Sequence, residues 1–246
     1  MSRTVIRVTG DDRVKFLQNL VTNDVSHLEN GPVYSALLTP QGKYLADFFV
    51  VADGESLLLD VDTSLAEGLL RRLTMYRLRA AVAFHINDLV VSCGLGETPA
   101  GAFADPRHPG LGWRMIGPTQ VSEDVDWDAL RVELMVPEAG VELAENDSYI
   151  LELGFERLHG VDFRKGCYVG QEVTARMKHK TELKKGLARV HLAERVPPGT
   201  SILTSDGRSV GQIGTWANGR ALAYLKFDFA HDTLTAGGQP VSVEAG

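Results

Sequence analysis

Hydrophobic residues in the first 95 positions follow two periods, one of two residues and one of about 3.6. The period of two predicts strands over residues 4–8, 33–39, 44–52, 56–60, 82–86 and 89–95. Helical spacing predicts helices over 14–20 and 63–76, capped by Asp11 or Asp12 and by Asp62 or Thr63. The residues at 40–43, Pro-Gln-Gly-Lys, are typical of a tight turn, so the second and third strands should form a hairpin.

The composition and the predicted elements change twice in the second half of the chain. Residues 96–118 are rich in Gly and Pro, which predicts a loop or an irregular excursion, and order resumes over 127–136. We predict a turn or helix start at 137–140, a helix over 150–158, and another helix from Gln171. Short strands are then predicted over 187–192, 201–204, 210–216, 220–227 and 240–244. This spacing favours a small β-barrel or sandwich, with a domain boundary near residues 178–186.

Composition and charge narrow the class of protein only moderately. The chain has 246 residues, 44% hydrophobic and 23% charged, with a net charge of −7, which is typical of a globular protein and argues against one that coats nucleic acids. It begins without a signal or transit pattern and contains no apolar run of about 20 residues. We therefore expect a cytoplasmic protein of bacterial type, or one of the mitochondrial matrix if it is eukaryotic, without direct membrane or nucleic-acid binding.

Cys167 carries the clearest candidate chemistry. Gly166 and Gly170 flank it, a helix is predicted from Gln171, and Lys165 stands two residues away. A helix N-terminus and a nearby cation both favour the thiolate, which would serve as a nucleophile or a soft metal ligand. A buried structural cysteine is the alternative. The only other cysteine, Cys93, lies in an apolar strand and is expected in the core, and both should be reduced thiols.

Other candidates remain open from the residues alone. A nucleophilic cysteine often needs a histidine partner, and the candidates by type are His85, His108, His159 and His179. No zinc-type spacing, GxGxxG or GxxxxGK[ST] is present. A basic run could meet phosphates or carboxylates, or be a solvated linker; it consists of Arg176, Lys178, Lys180, Lys184 and Lys185. Asp47 and Glu133 lie in apolar segments. An acid in such a segment needs a hydrogen-bond or charge partner or a ligand, unless its side chain lies on a solvent-exposed face.

Residues 163–172, Phe-Arg-Lys-Gly-Cys-Tyr-Val-Gly-Gln-Glu, together with Ala175 and Arg176, resemble the signature of the YgfZ-like folate-binding proteins, relatives of the glycine-cleavage T-protein. Further blocks of the same resemblance are residues 16–25, 38–47, 76–80, and 131–133 together with 137–140. The resemblance runs in order over about residues 4 to 190. It implies an α+β, T-protein-like folate-binding fold with antiparallel sheets and helices around a central opening over residues 1–180, as one region or two subdomains. A small C-terminal β-barrel over 181–246 completes it.

The resemblance also implies a function and a site. Family proteins are associated with assembly or repair of [4Fe–4S] proteins and, through them, with tRNA modification, and they bind tetrahydrofolate or a one-carbon derivative. The implied partners are iron–sulfur assembly or client proteins, with a monomeric chain and no permanently bound metal. Cys167 and Lys165 would carry the chemistry, Cys167 also as a transient cluster ligand. The motif is completed by Gly166, Tyr168, Gly170, Gln171, Glu172 and Arg176, and the implied folate-binding residues are Glu133, Asp47, Arg79 and Asn23.

Two departures separate the chain from the T-protein itself. The enzyme has two adjacent acids after its glycine turn, whereas this chain has Ala46-Asp47. The T-protein also lacks the cysteine motif. Aminomethyl or other one-carbon transfer is therefore an alternative function, and a Cys/His hydrolase is a more distant one.

Overall fold

A computed structural model describes residues 2–121, 124–179 and 182–244. It divides into two compact units: the first comprises 1–125 and 156–175, and the second comprises 126–155 and 176–246. The predicted boundary between residues 180 and 181 lies outside the described residues, as does Lys180 of the basic run. No helix within the described ranges is long and apolar enough to span a membrane.

A five-stranded antiparallel sheet forms the centre of the first unit, in the order β2-β3-β4-β1-β5. Its strands are β1 (Arg3–Thr9), β2 (Val33–Leu38), β3 (Tyr44–Asp53), β4 (Ser56–Asp62) and β5 (Ala83–Asn87). Helices α1 (Arg13–Gln18) and α2 (Thr63–Tyr76) pack on one face through buried residues such as Leu17, Leu69 and Leu73. The Asp62 carboxylate caps α2 by accepting from the Ser64 amide, as predicted, whereas Asp12 at the start of α1 accepts from the Ala81 amide and does not cap.

A second, three-stranded sheet corrects the prediction of a loop over 96–118. It has the order β6-β8-β7 and consists of β6 (Val90–Gly94), β7 (Phe103–Ala104) and β8 (Trp113–Gly117). The Gly/Pro-rich stretch contains a single 3-10 turn, Pro109–Leu111, that leads into β8. The pattern was hidden because Arg114 of β8 is buried and ion-paired, so a charged residue occupies a position that an apolar one would normally take.

The prediction of a helix over 150–158 is also wrong. Those residues form successive turns in which Ile150, Leu153 and Leu158 are buried. Gly154 has φ +81° and His159 has φ +54°, and a left-handed residue interrupts the helical hydrogen-bond ladder. Apolar residues at helical spacing can thus be buried by turns.

The second unit contains α3 (Trp127–Leu134) and a closed antiparallel barrel in the order β10-β11-β12-β9-β14-β13. Its strands are β9 (Lys185–His191), β10 (Ser201–Thr204), β11 (Ser209–Ala217), β12 (Arg220–Lys226), β13 (Leu234–Ala236) and β14 (Gln239–Val243). Pairing of β10 with β13 closes the ring around Val190, Ile202 and Leu225. The predicted barrel is confirmed; β13 was not predicted, because three residues carry no readable alternation. Helix α4 (Gln171–His179) begins in the first unit and continues into the second.

Candidate functional site

A buried lysine anchors the cysteine motif. The Lys165 ammonium donates hydrogen bonds to the backbone carbonyls of Val21 at 2.6 Å and Asn23 at 2.7 Å, and only 7% of the residue is exposed. It also lies 5.4 Å from the centre of the Tyr168 ring. These contacts connect the motif to a segment more than 140 residues earlier in the chain.

Further hydrogen bonds join the same two segments. The Thr22 hydroxyl donates to the Gly160 carbonyl at 2.7 Å, and the Asp162 amide donates to the Thr22 carbonyl at 3.0 Å. The Asn23 side-chain amide donates to the carbonyls of His159 at 2.6 Å and Tyr34 at 2.9 Å. We call residues 21–23 and 159–165 the clamp. The Asn23 side-chain amide nitrogen therefore donates to two carbonyls within the protein, although the resemblance implies that this residue contacts folate.

Burial sets the protonation of Lys165. Loss of solvent around the ammonium lowers the pKa of Lys165 to about 8, and the carboxylates of Asp24 and Asp162 only partly oppose this. The Lys165 ammonium therefore still carries its charge at pH 7, but it loses that charge at a lower pH than a solvent-exposed lysine does. Within the described residues, no hydrogen bond or ion pair joins its ammonium to Cys167.

Cys167 is exposed between two anchored neighbours. Lys165 and Tyr168 are both buried, whereas Gly166 and Cys167 are exposed. A Cβ added at Gly166 would meet no atom within 4 Å, so the space beside Cys167 is open. The thiol is thus presented to an incoming molecule from a backbone fixed on both sides. An alternative buried role for this cysteine does not fit the structure.

Gly170 closes the motif through a close backbone approach. It has φ +85°, and a Cβ there would lie 2.7 Å from the Thr39 carbonyl oxygen and 3.1 Å from the Gly42 Cα. Gly42, in the β2–β3 turn, has φ +74°, and its own Cβ would lie 2.8 Å from the Val173 Cβ. The hairpin turn and the start of α4 therefore pack together only because both positions are glycine. On α4, Glu172 and Arg176 are exposed and Gln171 is half-buried.

No histidine completes a Cys/His pair with Cys167 by a hydrogen bond within the described ranges. His85 and His179 are exposed, and His108 Nδ1 accepts from the Gly110 amide. His159 contributes its carbonyl to the clamp. The described residues also contain no group of three or more His, Cys, Asp and Glu side chains arranged to hold a metal ion.

Asp47 is buried between two tyrosines. Its carboxylate oxygens accept hydrogen bonds from the hydroxyls of Tyr34 at 2.9 Å and Tyr44 at 2.5 Å. Burial, reinforced by the Asp47 carboxylate, raises the pKa of both tyrosines, so both hydroxyls remain donors. The acid that sequence analysis marked as needing a partner or a ligand thus has two partners from its own sheet.

Sequence reasoning missed an ion network beside that pair. Asp60 lies between Arg3 at 2.6 Å and Arg114 at 2.5 Å, and the Arg114 guanidinium is 4.0 Å from the centre of the Phe49 ring. Burial alone would raise the pKa of Asp60, but Arg114 and Arg3 outweigh it and hold that pKa below its usual range. Asp105 extends the network by pairing with Arg107 and Arg114. The sequence indicated this network only through Asp60, an acid within the apolar stretch 56–61 that would need a charge partner.

The other two predicted folate residues occupy different settings. Arg79 is exposed in the loop after α2. Glu133, at the end of α3 in the second unit, has a half-exposed side chain that accepts from Arg220 Nη2 at 2.6 Å. Its carbonyl accepts from Arg189 Nη1 at 2.6 Å. A ligand that binds this carboxylate would have to share it with Arg220 or displace that arginine.

Comparison with solved structures defines the fold class. The chain superposes on the aminomethyltransferase T of the glycine cleavage system from Bartonella henselae with a TM-score of 0.75 and 14% sequence identity. The match covers 99% of this chain and 83% of that one. Residues 184–245 match the family model of the CAF17 C-terminal beta-barrel domain. The chain is therefore a T-protein-like fold with a C-terminal barrel, which confirms the predicted fold class.

Sequence relatives identify the family. The human mitochondrial iron-sulfur cluster assembly factor IBA57 is 31% identical over 267 residues, covering 91% of this chain and 75% of the human protein. The IBA57 homolog of Pyricularia oryzae, also mitochondrial, is 29% identical over 296 residues, covering all of this chain and 75% of the relative. The chain belongs to the IBA57 family of iron–sulfur cluster assembly factors. The finer YgfZ-like assignment stays a prediction.

Proposed function

We propose that the chain assembles iron–sulfur clusters by offering the Cys167 thiolate as one ligand of a cluster in transit to a client protein. The observation that carries this proposal is the exposure of Cys167 on a segment whose neighbours are buried and clamped. Thiolates are the preferred ligands of iron–sulfur clusters. The cluster is the cargo of the reaction, and clients would include iron–sulfur enzymes that modify tRNA.

Ligand number supports a shared cluster. A cubane or rhombic cluster is held by about four protein ligands, usually cysteines. The sequence has two cysteines, and Cys93 is half-buried in β6, where burial raises the pKa of its thiol and disfavours the thiolate. Cys167 would then be the accessible thiolate, and a partner protein or small thiols would supply the remaining ligands. The mitochondrial names of the relatives favour the matrix, among the predicted compartments, for a eukaryotic source.

Complementation tests this role. In a strain lacking the wild-type protein, Cys167→Ala should fold normally and fail to restore the activity of [4Fe–4S] enzymes. Cys93→Ala, which removes the other thiol, is the matched control and should restore activity. Full rescue by Cys167→Ala contradicts the thiol role.

We also propose tetrahydrofolate, or a one-carbon derivative, as a ligand. The T-protein-like fold and the half-exposed Glu133 carboxylate support this, because a carboxylate can accept two parallel hydrogen bonds from an amino-pyrimidine edge. The fit is partial, since Asp47 and Asn23 are occupied by internal hydrogen bonds. Calorimetric titration with tetrahydrofolate should show binding that weakens in Glu133→Ala; no heat with the wild type contradicts it. Folate-dependent turnover that survives Cys167→Ala and is lost in Asp47→Asn would instead indicate a one-carbon transferase.

A further inference from the structure

The end of α2 and the loop that follows it expose large apolar side chains to solvent. We call residues 74–81 the knob. Leu78 is 88% exposed and Met75 is 61% exposed. Arg77 and Arg79 on either side of Leu78 are exposed as well. An isolated exposed apolar residue needs no explanation, but two within four positions, framed by arginines, resemble the centre and rim of a protein interface.

The knob is fixed to the turn between β1 and α1. The Ala80 amide donates to the Arg77 carbonyl at 2.8 Å, and the Ala81 amide donates to the Asp12 carboxylate at 2.8 Å. Gly10 allows this contact, because a Cβ there would lie 2.0 Å from the Ala81 carbonyl oxygen. Leu78 itself has φ +45°, a left-handed conformation that leucine rarely adopts. The backbone therefore holds the Leu78 side chain outward in a strained but anchored conformation.

The charge of the knob is opposite to that of the chain. The chain carries a net charge of −7, yet residues 68–87 contain four arginines and no acid. Arg71, Arg77 and Arg79 are exposed, and none of them forms an ion pair within the described part of the chain. Arginine is suited to carboxylates, since its planar guanidinium can bind both oxygens at once. An acidic protein surface would complement this set.

We propose that the knob docks an iron–sulfur protein that exchanges a cluster with this chain, through an apolar pocket on that protein rimmed by carboxylates. The proposal rests on the proposed function, which requires a partner. Leu78 would enter the pocket while Arg77 and Arg79 pair with the rim. Two apolar side chains bury too little area to hold a membrane surface, and the net negative charge of the chain opposes nucleic acids and anionic bilayers beyond the patch.

Two variants and a control test the knob. Leu78→Gly suits the positive φ and removes only the apolar side chain, whereas Arg77→Glu combined with Arg79→Glu reverses the rim. Lys15→Glu, an exposed cation on α1 outside the knob, is the control. In the strain lacking the wild type, both knob variants should lower restored [4Fe–4S] enzyme activity by about tenfold or more, and the control should not. Urea stability and the labelling rate of the Cys167 thiol should stay at wild-type values.

The outcomes separate the proposals. Rescue by the knob variants overturns the docking surface while leaving the cluster role intact, whereas rescue by Cys167→Ala overturns the cluster role. Second-site mutations that restore activity to the double Arg77→Glu, Arg79→Glu variant should lie in one iron–sulfur protein and should replace an acidic residue there by a basic one. If purified wild-type protein binds tRNA or phosphatidylserine vesicles and the knob variants lose that binding, the knob is a nucleic-acid or lipid site and the proposal is wrong.

Discussion

Replacing Gly170 by alanine is expected to destabilise the first unit strongly, whereas the same change at Gly166, four residues earlier, should not. At Gly170, φ is +85° and the new Cβ would lie 2.7 Å from the Thr39 carbonyl oxygen. The left-handed conformation costs an L-residue about 1–2 kcal/mol, and overpacking adds about 1–3 kcal/mol. Reduced freedom of the unfolded chain returns about 0.4–1 kcal/mol. The net loss in free energy of unfolding should be about 1–5 kcal/mol.

Gly166 is the matched control. A Cβ there meets nothing within 4 Å, and Gly166 is not among the glycines with positive φ. Gly166→Ala should therefore leave stability unchanged or raise it by about 0.4–1 kcal/mol. Urea unfolding can be followed by labelling of the half-buried Cys93 thiol in a Cys167→Ala background, which reports on the first unit. Equal effects of the two alanines would refute the packing of the hairpin turn against the start of α4.

Three further predictions concern thiol access and buried charge. In the native protein, Cys167 should react with a disulfide reagent at the rate of a free thiol and Cys93 far more slowly; similar rates contradict the assigned exposures. Asp60→Asn should lower the free energy of unfolding by roughly 3–5 kcal/mol, because it removes the carboxylate charge that Arg3 and buried Arg114 share and leaves Arg114 only the longer pairing with Asp105; a loss below about 1 kcal/mol in urea denaturation argues against the network. For Lys165, the folded pKa of about 8 lies below the unfolded value, so the cost of burying its charge is present below pH 8 and disappears as pH rises towards about 10.4. Unfolding measured across that window should thus show wild type gaining stability relative to Lys165→Met, and a constant difference contradicts the shift.

The parts of the fold with regular patterns could be predicted from sequence. The hairpin of β2 and β3 and the helix α2 combine clean periodicity with a turn or a capping residue. The strands within residues 96–118 could not be predicted. Arg114 in β8 is buried because it pairs with Asp60, and these two residues are 54 positions apart in the sequence. The turns at 150–159 could not be predicted either, because the local pattern of apolar residues does not indicate the positive φ at Gly154 and His159.

The sequence also predicts only part of the candidate site. Local sequence marks Cys167 well, since the flanking glycines and the following helix are contiguous with it. The clamp leaves no such mark, because Lys165 binds backbone carbonyls at Val21 and Asn23 that any residue would provide. Side-chain identity can indicate that a lysine is important without indicating that it binds the main chain.

Cluster binding at Cys167 can be measured by anaerobic reconstitution of the purified chain with iron, sulfide and glutathione, followed by visible circular dichroism and Mössbauer spectroscopy. Wild type and Cys93→Ala should each take up a protein-bound cluster, with glutathione completing the ligand set around Cys167. Cys167→Ala should show none. The same cluster spectrum from Cys167→Ala, or no cluster on the wild-type chain, would contradict the assignment of Cys167 as a cluster ligand.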